Sequence, residues 1–281
     1  RNALLKGFDN ELYAMFQVSA NDIAQNDKTR KNLNLALVID RSGSMAGQPL
    51  EEAKKSAVMM VNQMQASDRI AIIQYDNIAD VVVPSTKCID KENIIRSIMR
   101  IQSGGMTNLF QGWELGSIEV EKNKTKQTLN KILLLSDGNA NVGLIEKHQI
   151  APKCAQLIEK GITTSTYGLG RDFNEELMIE MANSGHGRGY YGQCAEDLYD
   201  PFKEEFSLLL NTIATELLLK VKCPNFINLK VMNNLKNKSG KWLMPDIAAN
   251  GEGWVLLQLK IAKEKIKDKP IEILRCSLSY K

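Results

Sequence analysis

Two short, uninterrupted apolar runs constrain this chain more than any other feature. Leu35-Ala36-Leu37-Val38-Ile39 and Ile132-Leu133-Leu134-Leu135 each stop abruptly at an acidic, hydroxyl-bearing turn, Asp40-Arg41-Ser42-Gly43-Ser44 and Ser136-Asp137-Gly138. A run of that length with no polar alternation reads as a strand buried on both faces, which requires cover on either side of a sheet. The cover is legible between the runs. Pro49 suits a first helical position, Glu51 and Glu52 suit a first turn, and Leu50, Ala53, Ala57, Met60, Val61 and Met64 follow at helical spacing. Further helices are expected over residues 91–101, 109–121, 146–160, 174–182 and 196–215, the last with Leu198, Phe202, Phe206, Leu209, Leu210 and Ile213 as its apolar stripe. Strands are expected over 69–75, 80–84, 162–167 and 189–191. Strands alternating with helices predict an α/β fold with a doubly wound, mostly parallel, Rossmann-like sheet.

The flanks are of a different kind. Residues 12–18 look like a strand, and after residue 216 helical periodicity gives way to strand-like segments at 218–222, 226–232, 254–261 and 271–280, separated by Pro, Gly, Asn and Lys clusters. We expect residues 31–216 to form the α/β domain and residues 1–30 with 217–281 to form a second, smaller, β-sandwich-like domain built from both chain ends. A length of 281 residues accommodates about two domains.

Composition excludes several classes. With 36 Lys and Arg against 33 Asp and Glu, the net charge is +3 and no long basic run occurs, so binding to nucleic acid through bulk charge is not expected. No apolar stretch approaches the roughly 18 residues of a membrane span. The five cysteines, Cys88, Cys154, Cys194, Cys223 and Cys276, form no C-x-x-C pair and read as core or free thiols, which leans toward a reducing compartment and otherwise leaves the location unknown. His148 and His186 lack a second histidine at ligand spacing, which argues against a zinc site of the usual type.

The chemistry lies in the turns after the buried runs. In open parallel sheets, ligands bind at the carboxyl ends of the strands. Asp40, Ser42 and Ser44 form a D-x-S-x-S sequence there, placing oxygen side chains on alternate residues. Such a set suits a hard cation such as Mg2+, although Asp and Ser also populate ordinary turns and helix caps. The Gly-rich segment Ser103 to Asn108 adds a hydroxyl at Thr107, and Asp137 adds a second carboxylate. If the Asp40 and Asp137 strands are neighbours, both acids meet at one rim. Arg41, Met45, Met106, Asn108, Asn139 and Asn141 are candidate rim contacts, Arg41 either favouring an acidic ligand or simply solvated.

The set Asp40, Ser42, Ser44, Thr107 and Asp137 resembles the metal-ion-dependent adhesion site of von Willebrand factor type A domains, and residues 31–216 match that family in motif order and element order. The segments around Asp40 and Asp137 are similar to bacterial members, some of which carry a flanking β-rich region. The resemblance implies that Ser42, Ser44 and Thr107 give hydroxyls to a divalent cation, Mg2+ with Mn2+ or Ca2+ as alternatives. Asp40 and Asp137 would bind it directly or through water. It further implies a protein ligand whose acidic side chain completes the coordination sphere, in a non-enzymatic binding module.

Two other readings remain at this point. A type A assembly subunit of an ATPase or secretion machine would use the same site. A metal-dependent phosphohydrolase of haloacid-dehalogenase type would need a second Asp two residues after the first, where this chain has Ser42. No G-x-x-x-x-G-K-[ST] loop occurs, and neither histidine has an expected place beside Ser42 or Ser44 to activate them as nucleophiles.

Overall fold

In a computed structural model, residues 4, 8–20, 30–138, 140–170, 174–233, 235–263 and 271–280 are described, without the side chains of Ala195 and Leu198. The chain forms two compact units, one of residues 31–210 and one of the described parts of residues 1–30 and 211–281. The first strand, β1 (Asn10–Ser19), belongs to the second unit.

The larger unit is a six-stranded sheet. In chain order its strands are β2 (Asn32–Asp40), β3 (Arg69–Tyr75), β4 (Ala79–Lys87), β5 (Thr128–Ser136), β6 (Ile162–Leu169) and β7 (His186–Gly192). In space they run β4-β3-β2-β5-β6-β7, all parallel except the β3–β4 hairpin. Among the described residues six helices cover it: α1 (Gln48–Gln63), α2 (Lys91–Met99), α3 (Leu109–Lys122), α4 (Lys147–Glu159), α5 (Glu175–Ser184) and α6 (Tyr199–Asn211).

The apolar run of β2 explains why both faces need cover. Leu33, Leu35, Leu37 and Ile39 pack with Met60 and Val61 of α1, Ile94 and Ile98 of α2, and Phe202 and Phe206 of α6. The alternate residues Ala36 and Val38 pack with Trp113 of α3, Ile150 and Cys154 of α4, and Met178 and Met181 of α5. Each fully buried large side chain of this kind contributes roughly 1.5–3 kcal/mol relative to exposure. The sheet reverses its winding between β2 and β5, which are paired with Ile39 opposite Leu135. The crevice at such a switch point is where ligands bind in this architecture, and it lies where Asp40 and Asp137 leave their strands.

The final helix is shorter than its periodicity predicts. Residues Ala195–Leu198 form a 3-10 turn, α6 ends at Asn211, and Thr212–Ala214 form a strand, β8, paired with Ile247 and Ala248 of β13 (Ile247–Ala248). Two β-branched residues in sequence, Thr212 and Ile213, favour the pairing over a further helical turn. Ile213 is consequently exposed rather than part of the buried stripe, and the Leu198 side chain lies outside the described set.

In the second unit, the remaining strands are β9 (Leu217–Lys222), β10 (Ile227–Val231), β11 (Asn237–Lys238), β12 (Lys241–Met244), β14 (Glu252–Ile261) and β15 (Arg275–Ser279). They form antiparallel sheets of order β1-β14-β10 and β11-β12-β9-β15. Leu217, Leu219 and Met244 of one sheet share a core with Ile227, Val255, Leu257, Leu259 and Ile261 of the other. Two sheets with one common apolar interior make a small sandwich. The strand expected from Ile271 begins only at Arg275.

Candidate metal centre

Three backbone segments form a cup at the carboxyl ends of the sheet strands: the turns that follow β2 and β5 and the segment that leads into α3. Asp40, the last residue of β2, is fully buried and accepts from the Ser42 backbone N–H at 2.8 Å through Oδ1. Its Oδ2 accepts from the Ser136 hydroxyl at 2.7 Å. Ser44 Oγ donates to Asp137 Oδ1 at 2.8 Å and lies 3.1 Å from Ser42 Oγ. With its proton committed to Asp137, the Ser44 oxygen keeps lone pairs for another acceptor role.

The centre of the cup is marked by Gly138. A Cβ on that residue would lie 3.3 Å from Ser44 Oγ, 3.3 Å from Thr107 Oγ1 and 4.0 Å from Ser42 Oγ. Three hydroxyls therefore converge on space that the missing side chain leaves open. Thr107 is delivered there by the segment before α3, whose N-cap is Asn108. Its backbone is clamped by Asn141: the Thr107 N–H donates to Asn141 Oδ1 at 2.9 Å, and the Asn141 N–H donates to the Thr107 carbonyl at 3.1 Å.

Electrostatics matches this donor set to a cation. Burial pushes the Asp40 carboxyl up to about 6 against the hydrogen bonds from Ser136 and Ser42, with the neighbouring Asp137 charge adding to the push. Burial likewise raises Asp137, against the hydrogen bond from Ser44. Two carboxylates disfavoured in their charged forms, with hydroxyls and, among the described residues, no positive side chain bonded to either, fit a hard divalent ion held by oxygen. Among the described residues no group of three His, Cys, Asp or Glu side chains could hold a metal. An ion here would depend on hydroxyls and water as well as the acids.

The proposed rim contacts divide on inspection. Met106 is exposed, as a contact residue must be. Met45 is not a rim residue: it sits in the 3-10 turn Gly43–Met45 and is fully buried in the core beneath it. Asn108 caps α3 by accepting from the Gln111 N–H at 3.3 Å, and Asn141 holds Thr107. Arg41 is partly exposed, and its guanidinium pairs with Asp76 at 2.8 Å. Asn139 lies outside the described residues. Sequence reasoning assigned no role to Ser136, which joins Asp40 to the Asp137–Gly138 turn. A hydroxyl at the end of an otherwise apolar buried run was the available signal.

A doubly wound sheet with an oxygen-lined cup at its switch point places the candidate site where α/β folds of this kind bind their ligands. The family model of the von Willebrand factor type A domain matches residues 34–200, and the chain belongs to that family. It is 30% identical over 206 residues to the protein YfbK of Escherichia coli (strain K12), an alignment covering 72% of this chain but only 36% of that relative. Among solved structures, a von Willebrand factor type A protein from Catenulispora acidiphila superposes with a TM-score of 0.80 at 14% identity, covering 99% of this chain and 67% of that one. Proximal thread matrix protein 1 of the mussel byssus, solved with a zinc-occupied metal-ion-dependent adhesion site, matches with a TM-score of 0.55 at 16% identity over 71% of this chain and 51% of that one. That mussel protein thus holds a divalent metal at such a site.

Proposed function

We propose that this chain is a non-enzymatic protein-binding module that holds Mg2+ with Asp40, Ser42, Ser44, Thr107 and Asp137 and recognises an acidic group on a partner protein. The observation that carries the reading is the convergence of three hydroxyls on the open space beside Gly138, next to two carboxylates to which no positive side chain is bonded among the described residues. All five side chains offer hard oxygen, which suits Mg2+ over softer ions, and Mg2+ readily keeps waters. A bound cation would supply a Lewis-acidic positive centre with an exchangeable position open to a carboxylate. The chain's own residues do the rest: Ser136 orients Asp40, Asn141 fixes Thr107, and Asp137 accepts the Ser44 hydroxyl's hydrogen bond, leaving that oxygen's lone pairs for the ion. With Arg41 bonded to Asp76, attraction for an acidic partner rests on the ion rather than on a basic rim.

Isothermal titration with MgCl2 tests the first half. One site is expected on the parent and none on Asp137→Ala at an unchanged circular dichroism spectrum; equal binding by both proteins overturns the reading. The second half is tested by retention of immobilised acidic peptides in Mg2+ or in EDTA. Retention that ignores EDTA removes the ion from recognition.

A further inference from the structure

The β3–β4 turn, Asp76-Asn77-Ile78, offers no ligand to the cup, yet it is bonded to two of the segments that form it. Asp76 is placed by its own turn: its N–H donates to the Ile78 carbonyl at 3.2 Å, and its Oδ1 accepts from the Ile78 N–H at 3.2 Å. The other oxygen, Oδ2, pairs with Arg41 Nη2 at 2.8 Å, in a site where the two side chains are 24% and 12% exposed. Arg41 Nη1 reaches the Gln102 carbonyl at 3.3 Å. One guanidinium therefore joins the Asp40–Ser44 segment, the β3–β4 turn and the segment leading to Thr107.

The backbone repeats the pattern. The Gly104 N–H donates to the Arg41 carbonyl at 2.7 Å and the Gly43 N–H to the Gly105 carbonyl at 2.9 Å, so the two cup segments are bonded directly. The Asn108 N–H donates to the Asp76 carbonyl at 2.7 Å, the Met106 N–H donates to Asn77 Oδ1, and Asn108 Nδ2 donates to the Asn77 carbonyl at 3.3 Å. Residues on both sides of Thr107 are thereby hung from the turn. Gly105 has φ +64°, and a Cβ there would collide with Asn77 Oδ1 and lie 3.0 Å from Asp76 Cγ, so the segment fits the turn only with glycine at this position.

We infer that the Arg41–Asp76 pair is a positioning device that holds the Thr107 hydroxyl against the Asp40–Ser44 segment, and so makes the centre favour the small ion Mg2+ over Ca2+. The inference rests on the metal-binding reading above. Its physical basis is the difference in what the ions demand. Mg2+ requires near-ideal octahedral geometry at short distances, whereas Ca2+ accepts longer bonds and irregular coordination. A cage tied at two points on one side of Thr107 and clamped by Asn141 on the other holds a short-bond geometry. A slack one suits the larger ion at least as well.

The test uses the 281-residue chain and the metals alone. Asp76→Asn keeps an acceptor for the Ile78 N–H but removes the charge that Arg41 holds, and Arg41→Met removes the other half. We expect each to weaken Mg2+ binding by about tenfold, the low end of what outer residues of metal sites cost, with Ca2+ affinity changed much less and the melting temperature in EDTA kept near the parent value. The double variant is expected to be no weaker than either single one, because the two residues act as one unit. An unchanged Mg2+/Ca2+ affinity ratio in both variants overturns the inference, including in a variant whose melting temperature falls, since the ratio is read on the folded protein. If Asp137→Ala still loses Mg2+ in that case, only the positioning role has failed. If Asp137→Ala also binds like the parent, the metal-binding reading itself has failed.

Discussion

At the scale of single residues, the centre depends as much on an absence as on its oxygens. Gly138 has no positive φ that would demand glycine, and the three atoms nearest its missing Cβ are the hydroxyl oxygens of Ser44, Thr107 and Ser42. Gly138→Ala should therefore fold normally while placing a methyl group where the ion would sit. We expect its Mg2+ affinity to fall roughly 10–100-fold with little change in the melting temperature in EDTA. Parent-like affinity would show that the ion does not use this space. Ser136→Ala makes the complementary change. It leaves Asp40 Oδ2, fully buried, without the 2.7 Å hydrogen bond that holds it, and should cost about 1–3 kcal/mol of stability in urea denaturation in EDTA. A denaturation midpoint equal to the parent's would mean that another donor replaces the serine.

At the scale of elements, α6 carries a buried polar anchor at its middle in addition to its apolar packing. Glu205 is buried against the sheet, where it pairs with Lys131 of β5 at 2.6 Å and accepts from the hydroxyls of Ser165 of β6 at 2.9 Å and Tyr190 of β7 at 2.8 Å. Burial raises its carboxyl, but Lys131 with the hydrogen bonds outweighs burial and holds it below the ordinary carboxylate value. A lowered native pKa means that the unfolded chain takes up this proton more readily than the folded one. The contribution is present above the unfolded value of about 4.3 and is lost as the pH falls through the native value. Glu205→Gln should cost about 3–5 kcal/mol at neutral pH, because it leaves the Lys131 ammonium buried and unpaired, and it should flatten the loss of stability between pH 5 and 3. Equal acid slopes for parent and variant would assign that loss to other carboxylates.

None of this network was legible in the sequence. Lys131 precedes the apolar run of β5 and reads as a surface residue, and Glu205 reads as part of a helix's polar face. The runs in β2 and β5 were legible because burial on both faces removes every polar residue, and the D-x-S-x-S spacing because it is local. The partner of Arg41 and the burial of Met45 were not, since each depends on a segment distant in the chain or on a turn folding under itself. The end of α6 was missed because the apolar spacing continues into Thr212–Ala214, where strand pairing takes over.

At the scale of the whole molecule, the question is how far the effect of a bound ion travels. A ligand shifts a conformational equilibrium only by its differential affinity for the two states. The candidate ligands all lie on the segments that meet at the switch point, and those segments are already joined by the bonds of Arg41, Asp76, Asn77 and Asn141. Sliding α6 by one turn would break the contacts of Glu205 to Lys131, Ser165 and Tyr190 together, a cost of several kcal/mol that a modest differential affinity does not meet. Hydrogen exchange measured with and without Mg2+ should therefore slow in residues 41–47, 102–108, 137–138 and 140–146 and stay unchanged in α6 and in the sandwich strands β9, β10 and β14. In Glu205→Gln, where the anchor is cut, exchange in α6 should rise and become sensitive to Mg2+. Slowed or quickened exchange across α6 in the parent on adding Mg2+ would show that the helix moves with the ion despite its anchor, and the site would then act on the rest of the chain rather than only on what binds at its rim.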